Sequence, residues 1–195
     1  MTLQTGMMLL AAKMPLDMMI SKMSEGMVET LKIFFLTLLF SLPLGLVIAF
    51  GRMAKNRIIR YIVTVYIAIM RGTPLMLQVM AIYFGPNYLL HIRIPRSYRF
   101  IAIIVAFALN YAAYFAEIYR SGIESMPVGQ YEASRLLGYN KAQTFFKIIL
   151  PQVIKRILPS ITNEVICLVK DTSLAFSIAY LEMFTVAKQI ASSNT

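Results

Sequence analysis

Charge is scarce in this sequence. Only 14% of its 195 residues are Asp, Glu, Lys or Arg, whereas soluble domains carry about 25%. Hydrophobic residues make up 58% of the chain, and the mean hydropathy is +0.68. A soluble fold of this length needs more polar surface than these residues supply, so the composition indicates a membrane protein.

Cysteine and histidine are scarcer still, with one of each, Cys167 and His91. A single cysteine excludes a disulfide framework within the chain, and one of each excludes a metal site built from several Cys and His ligands. They also provide no nucleophile–base pair for a membrane-bound enzyme. Because Cys167 lies in an apolar run, we expect it to be a small core residue.

A nucleotide-binding motif is also absent. The sequence contains no G-x-x-x-x-G-K-[ST], which a P-loop requires, so we expect this chain to bind no cofactor of its own. The net charge is +10, and in a membrane protein Lys and Arg collect in cytoplasmic loops. No aromatic-plus-basic pattern of a nucleic-acid-binding module occurs, so we expect lipids around the chain and no nucleic-acid partner.

Apolar stretches long enough to cross a bilayer, which takes about 20 residues, organise the chain. They lie at 27–50, 61–84, 100–119 and, less cleanly, 157–184. Residues 1–26 form a Met-rich segment with isolated charges, which we expect to be amphipathic and to lie on the membrane surface. The sequence therefore predicts an all-α membrane protein with its transmembrane domain at 27–195.

Basic residues orient these stretches. Lys and Arg are more numerous in 52–60 and 120–156, with ten, than in 13–32 and 93–99, with six. Because cytoplasmic loops are enriched in Lys and Arg, we expect the N-terminus outside and residues 120–156 in the cytoplasm. Within that segment, the proline at 127 suits the start of a short helix and the glycine at 138 its end.

A pattern in this cytoplasmic segment resembles a known signature. The stretch "EASRLLGYNKAQTFFKIILP" (132–151) has the spacing of the EAA signature of the membrane subunits of bacterial ABC importers, with Ser in place of the second Ala. In that family the short helix, here near 127–138, is a coupling helix that docks in a separate ATP-binding subunit. The resemblance implies that the residues coupling this chain to the ATPase are Glu132, Ala133, Ser134 and Gly138.

Three further stretches resemble the polar amino-acid permeases of this importer class, which have the MetI-like fold. They are "RGTPLMLQ" (71–78), "AEIYRSGIESMPVGQYEA" (116–133) and "KDTSLA" (170–175). The resemblance implies a subunit that moves a polar amino acid across the cytoplasmic membrane of a bacterium. It also implies ATP-binding subunits that carry the ATP, a second permease chain and an extracytoplasmic amino-acid-binding protein.

Charged and hydroxyl residues inside the predicted spans form the candidate substrate site. A charge in a span is costly and tends to face protein or a water-filled path. Arg71 or Lys170 can hold the carboxylate of a zwitterionic amino acid, and Asp171 or Glu164 can hold its ammonium group. Hydroxyl groups that can add hydrogen bonds belong to Thr73, Thr172 and Ser173. A structural ion-pair network among the charged members is the alternative.

The end of the chain departs from the family pattern. The resemblance implies a further span after residue 175, and the chain stops at Thr195, about where that span would begin. We therefore expect about four spans without the usual fifth, in a fragment or in a truncated, inactive chain. A permease for another small solute is the alternative function, and a scaffold without transport has less reason to place charges inside spans.

Overall fold

The structure, a computed structural model, describes residues 15–91 and 94–193. Its α-helices in chain order are α1 (Leu16–Arg52), α2 (Arg57–Gly72), α3 (Leu75–Leu90), α4 (Tyr98–Glu124), α5 (Val128–Leu136), α6 (Lys141–Gln143), α7 (Leu150–Asp171) and α8 (Met183–Ser193). A π-helical segment at Thr144–Ile149 joins α6 to α7, and a 3-10 helix at Thr172–Ile178 follows α7. Helices therefore account for nearly all of the part of the chain that the structure describes.

The longest helix, α1, extends across the predicted boundary between the N-terminal segment and the transmembrane domain. Its 37 residues span about 55 Å at 1.5 Å per residue, more than the roughly 30 Å of a bilayer core. The division between a segment at 1–26 and a domain at 27–195 falls inside this helix, which continues through it without a break. Residues 1–14 of the expected amphipathic segment lie outside the described residues.

The helices match the four predicted spans only in part. By length and composition, α1 and α4 can cross a membrane, and the pair of α2 and α3 makes a third span if it is counted as one. The predicted span at 61–84 is thus not one straight helix, because α2 and α3 meet at an angle of 107°. The helix in the place of the fourth span, α7, is amphipathic rather than apolar, with Glu164 near its middle and charges toward both ends.

The apolar run at 173–184 does not extend α7 as a span would. It forms the 3-10 helix, and Ala179 then takes a left-handed conformation with φ 53°. Glu182, which is 1% exposed, accepts hydrogen bonds from the backbone N–H groups of Phe184 and Thr185 and from the Thr185 hydroxyl. This cap supplies acceptors at the start of α8 and accounts for an acidic residue in an apolar run.

Close packing between α1 and α4 forms the centre of the structure. Residues at four-residue intervals along one face of α1 are buried: Thr37, Ser41, Gly45 and Ala49. A Cβ atom at Gly45 would lie 2.9 Å from the Cβ of Phe115 and 3.1 Å from the carbonyl oxygen of Ala112. Small residues permit this approach, as is usual between membrane helices, and they hold α4 in place beside the site described below.

We predict that Gly45→Ala destabilises the protein, because the added methyl group has no space against the backbone of α4. The expected loss of unfolding free energy is about 1–3 kcal/mol, the usual cost of overpacking. Gly85→Ala is the matched control, since a Cβ there meets no atom within 4 Å. Thermal unfolding of the purified protein in detergent should show a lower midpoint for Gly45→Ala alone. Equal midpoints for the two variants would contradict the close approach.

Candidate functional site

A sharp bend separates α2 from α3. Before Pro74, Thr73 adopts an extended conformation (φ −118°, ψ 145°), which is the conformation favoured by a residue that precedes proline. Pro74 has no N–H group and cannot continue the hydrogen bonding of α2. The bend leaves Arg71 in the last turn of α2, at the point where the two helices diverge.

A cavity of about 590 Å³ opens beside this bend. Its lining comes from α2, α3, α4 and α7 with the turns that follow α2 and α7: Arg71, Gly72, Thr73, Pro74, Leu75, Asn110, Tyr111, Tyr114, Glu164, Cys167, Asp171 and Leu174. Of the residues predicted from the sequence, the structure brings together Arg71, Thr73, Glu164 and Asp171. One cationic group and two carboxylates therefore share one cavity with several hydrogen-bonding groups.

Arg71 supplies the positive charge of the cavity. Its guanidinium carbon lies 5.1 Å from the ring centre of Tyr114, within the range of a cation–π interaction. Ion pairs in the described part of the chain join Glu29 to Lys32 and Arg120 to both Glu117 and Glu124. Among the described residues, the four candidate charges are thus not joined in the alternative ion-pair network.

Asp171 supplies one of the two negative charges and is held by a buried tyrosine. The hydroxyl of Tyr111 donates a hydrogen bond to Oδ2 of Asp171 over 2.7 Å. Tyr111 itself is 2% exposed, so its ring is fixed by packing within α4 and its neighbours. The bond sets the direction of the Asp171 carboxylate at the end of α7.

One face of α7 contributes three residues to the cavity, namely Glu164, Cys167 and Asp171. Their spacing of three and four residues places them on the same side of a helix. Our expectation that Cys167 is a core residue is wrong, because its side chain is exposed and lines the cavity. Leu168, the next residue, is fully buried instead, since it points about 100° further around the helix.

The remaining predicted residues, Lys170, Thr172 and Ser173, lie elsewhere. They line a separate cavity of about 540 Å³ together with apolar residues of α1 and α8. The hydroxyl of Thr172 donates to the carbonyl of Val169, and that of Ser173 donates to the carbonyl of Lys170, each over 2.7 Å. Both hydroxyls thus bond within their own turn, and the structure does not bring these residues to Arg71.

Several polar residues of the cavity were not singled out from the sequence. Asn110, Tyr111 and Tyr114 line it from α4, and Gln78 of α3 bonds to Thr73 at its edge. An amide inside an apolar span was the available signal for Asn110, because polar groups in membrane helices usually bond across helices. The spacing of the three α4 residues also places them on one helical face.

The predicted coupling segment forms a short helix, α5. Pro127 precedes it, and Gly138, with φ +80°, follows it as a left-handed turn residue. Glu132 and Ala133 are exposed, whereas Ser134 is 1% exposed and its hydroxyl donates to the carbonyl of Gln130. The helix therefore turns Ser134 inward and presents Glu132 outward, and the contact of these residues with an ATPase stays a prediction.

Exposed apolar side chains accompany this helix. Leu136 is 89% exposed, Leu137 73% and Val128 70%. The next helical turn begins with a capping box in which Asn140 and Gln143 each accept a hydrogen bond from the backbone N–H of the other. The chain then enters the π-helical segment, a form that is often found at functional sites.

Comparison with known proteins identifies the family. Residues 41–193 match the family described as "Binding-protein-dependent transport system inner membrane component". The chain belongs to this family. As a member, it is an inner membrane component of an importer, a permease subunit and not in itself an enzyme.

Individual relatives agree with this assignment. The L-cystine transport system permease protein TcyB of Bacillus subtilis (strain 168) is 37% identical over 172 residues, or 88% of this chain and 72% of that protein. The putative glutamine transport system permease protein GlnP of Rickettsia bellii (strain RML369-C) is 38% identical over 171 residues, or 88% and 77%. A crystal structure of an amino acid ABC transporter with histidines is similar with a TM-score of 0.79 at 36% identity, covering 88% of this chain and 78% of that one. The predicted family and the predicted all-α fold are confirmed.

The exposure of Cys167 leads to a direct prediction. As the single cysteine of the chain, it should react with a maleimide in unsealed membrane fragments. The matched control moves the thiol by one position, in Cys167→Ser/Leu168→Cys, because Leu168 is fully buried. Mass spectrometry should show labelling of the natural protein and little labelling of the control. Equal labelling would contradict the orientation of α7.

Proposed function

We propose that this chain is the transmembrane subunit of an ATP-driven importer for a polar amino acid, and that the amino acid binds in the cavity beside Arg71. The observation that carries the proposal is the combination of one guanidinium and two carboxylates around a single cavity. An α-amino acid carries a carboxylate and an ammonium group on the same carbon atom. A site with both signs of charge complements these two groups at once.

Each cavity residue has a role in this proposal. The guanidinium of Arg71 receives the substrate carboxylate, with the fork of donors that suits this group. Asp171, oriented by Tyr111, and Glu164 receive the ammonium group from α7. Thr73 and Tyr114 lie at the same cavity and provide neutral hydrogen bonds or ring contact for the side chain of the substrate.

The relatives favour an amino acid over another small solute. The similar proteins are named for L-cystine and glutamine transport, and the structurally similar transporter is an amino acid transporter with histidines. All three compounds are α-amino acids and share the zwitterionic group for which the cavity charges are suited. Their side chains differ, so the shared recognition concerns the charged groups rather than the side chain.

The partners follow from the family and from α5. We propose that ATP-binding subunits hold and hydrolyse the ATP, and that they contact α5 at Glu132, Ala133 and the exposed Leu136. Large exposed apolar side chains on a short polar helix are expected where another protein covers them. A second permease chain and an extracytoplasmic amino-acid-binding protein complete the proposed assembly, which lies in the cytoplasmic membrane with the N-terminus outside and α5 in the cytoplasm.

Protection of Cys167 tests the proposed substrate site. In unsealed membrane fragments, L-glutamine should slow maleimide labelling of Cys167, because the thiol lines the same cavity as the charged residues. Arg71→Gln and Asp171→Asn should each raise the half-protecting concentration about tenfold or more, as expected for loss of a hydrogen bond to a charged group. If no amino acid of a standard panel slows the labelling of the natural protein, the proposed site is refuted.

Two further variants sharpen this experiment. Lys170→Gln discriminates between the sequence-based site and the cavity, because Lys170 lines the other cavity and should leave protection unchanged. Lys155→Gln serves as the charge-matched control, since Lys155 is an exposed residue of α7 outside the cavity lining. If Lys170→Gln raised the half-protecting concentration as much as Arg71→Gln does, the substrate would lie nearer α1 and α8.

The coupling role makes a separate prediction. Leu136→Ser should reduce co-purification of an ATP-binding subunit with the full chain, because it removes an apolar side chain that is 89% exposed and carries little of the fold. Leu16→Ser is the matched control, since Leu16 is 72% exposed at the opposite end of the predicted topology. Unchanged co-purification of the ATPase with Leu136→Ser would indicate that α5 docks through other residues.

A further inference from the structure

One backbone carbonyl beside Arg71 lacks its helical donor. In a continuous helix the carbonyl oxygen of Met70 would accept the N–H of the residue four positions later, and that residue is Pro74. A backbone group without a hydrogen-bond partner is costly inside a membrane protein, where little water is present to replace that partner. The donors for Met70 must therefore come from side chains.

Two side-chain amides supply those donors. Nδ2 of Asn110, on α4, donates to the Met70 oxygen over 3.0 Å, and Nε2 of Gln78, on α3, donates to the same oxygen over 2.9 Å. Side chains of α3 and α4 thus both bond to one backbone oxygen of α2. Asn110 is 5% exposed, so its bond is shielded from water and should be stronger than a surface hydrogen bond.

The two amides are also bonded to each other and to the bend. Nδ2 of Asn110 donates to Oε1 of Gln78 over 3.0 Å. Nε2 of Gln78 also lies 3.1 Å and 2.9 Å from the carbonyl and hydroxyl oxygens of Thr73, so three acceptors, the Met70 oxygen included, share its two N–H groups. Met70 and Thr73 flank Arg71 and Gly72 in the chain, and Gln78 bonds to both. The backbone that carries the Arg71 side chain is therefore fixed on both sides.

We infer that Gln78 and Asn110 are positioning residues that fix the direction of Arg71 into the cavity. The inference rests on the proposed function in treating Arg71 as the carboxylate-binding group. The hydrogen bonds that carry it are independent of any substrate. Loss of either amide removes donors from Met70, loosens the turn that ends α2 and lets the guanidinium leave its place over Tyr114.

Charge-selective labelling of Cys167 measures the position of Arg71 without any substrate. In unsealed membrane fragments, the rates of modification of Cys167 are measured with an anionic and with a cationic methanethiosulfonate. Arg71 shares the cavity with the thiol, so its charge should favour the anionic reagent. Arg71→Gln should lower the ratio of the anionic to the cationic rate by about threefold or more, as loss of a unit charge at short range predicts.

The variants that remove one amide, called the clamp variants, are Gln78→Met and Asn110→Leu, which approximate the length of the original side chain. Each should lower the rate ratio toward that of Arg71→Gln. The double variant should lower the ratio at least as far as the larger single effect, because it leaves the Met70 carbonyl with neither amide donor. Thr37→Val is the matched control: it removes a buried hydroxyl with no bonding partner among the described residues. Thr37 is not part of the cavity lining, so the ratio should be unchanged.

The outcomes separate this inference from the proposed function. A wild-type ratio in both clamp variants, with a lowered ratio in Arg71→Gln, would overturn the positioning role and leave the substrate site intact. Lowered ratios in the clamp variants support the positioning role even if L-glutamine gives no protection of Cys167. Missing protection would count against the proposed substrate site alone. If Asn110→Leu fails to accumulate in membranes, the rate ratio of Gln78→Met alone decides on the positioning role. Gln78 is only half-buried, so its replacement disturbs the fold less.

Discussion

The hydrogen bonding of the Met70 carbonyl is the interaction on which the site depends. Pro74 removes the donor that α2 would have supplied, and the chain bends by 107° at the next residues. A bend of this kind inside a membrane protein is stable only if other groups satisfy the freed backbone. Asn110 and Gln78 do so, and the same bonds hold Arg71 at the edge of a cavity that would not exist if α2 and α3 formed one straight helix.

The opposite wall of the cavity depends on a different property, the amphipathic character of α7. Its charged residues exclude it from the helices that are apolar enough to span a membrane by composition. Glu164 and Asp171 lie on the face that meets the cavity, where water or a substrate can solvate them. Charges in membrane helices generally face such paths. Lining the cavity thus accounts for Glu164 and Asp171, whereas Lys155, Arg156 and Lys170 of the same helix lie outside that lining.

The sequence revealed those parts of the site whose residues differ sharply from an apolar background. Arg71, Glu164 and Asp171 are charges within hydrophobic runs, and each lies in the cavity. Lys170 is also a charge in a predicted span, but consecutive helical residues point about 100° apart, and Lys170 lines the other cavity rather than the one that contains Asp171. The amides of Gln78 and Asn110 carry no charge, and they meet across 32 positions of the chain, so neither periodicity nor spacing could pair them. Apolar length predicted α1 and α4 well, whereas the bend and the amphipathic α7 needed tertiary contacts to be understood.

The segment around α5 is tied to the cavity through α7. The guanidinium of Arg156 donates to the carbonyl of Ser125 over 2.8 Å, and Gln152 bonds to Gln130. Apolar packing joins Met126, before α5, to the first two turns of α7. We therefore expect a displacement of α5 to move the N-terminal half of α7, and α7 continues as a helix, with Pro159 inside it, to Asp171. Because protein interiors are close-packed and transmit strain, we expect a displacement of α5 to reach the carboxylates of α7 and so to change their position relative to Arg71.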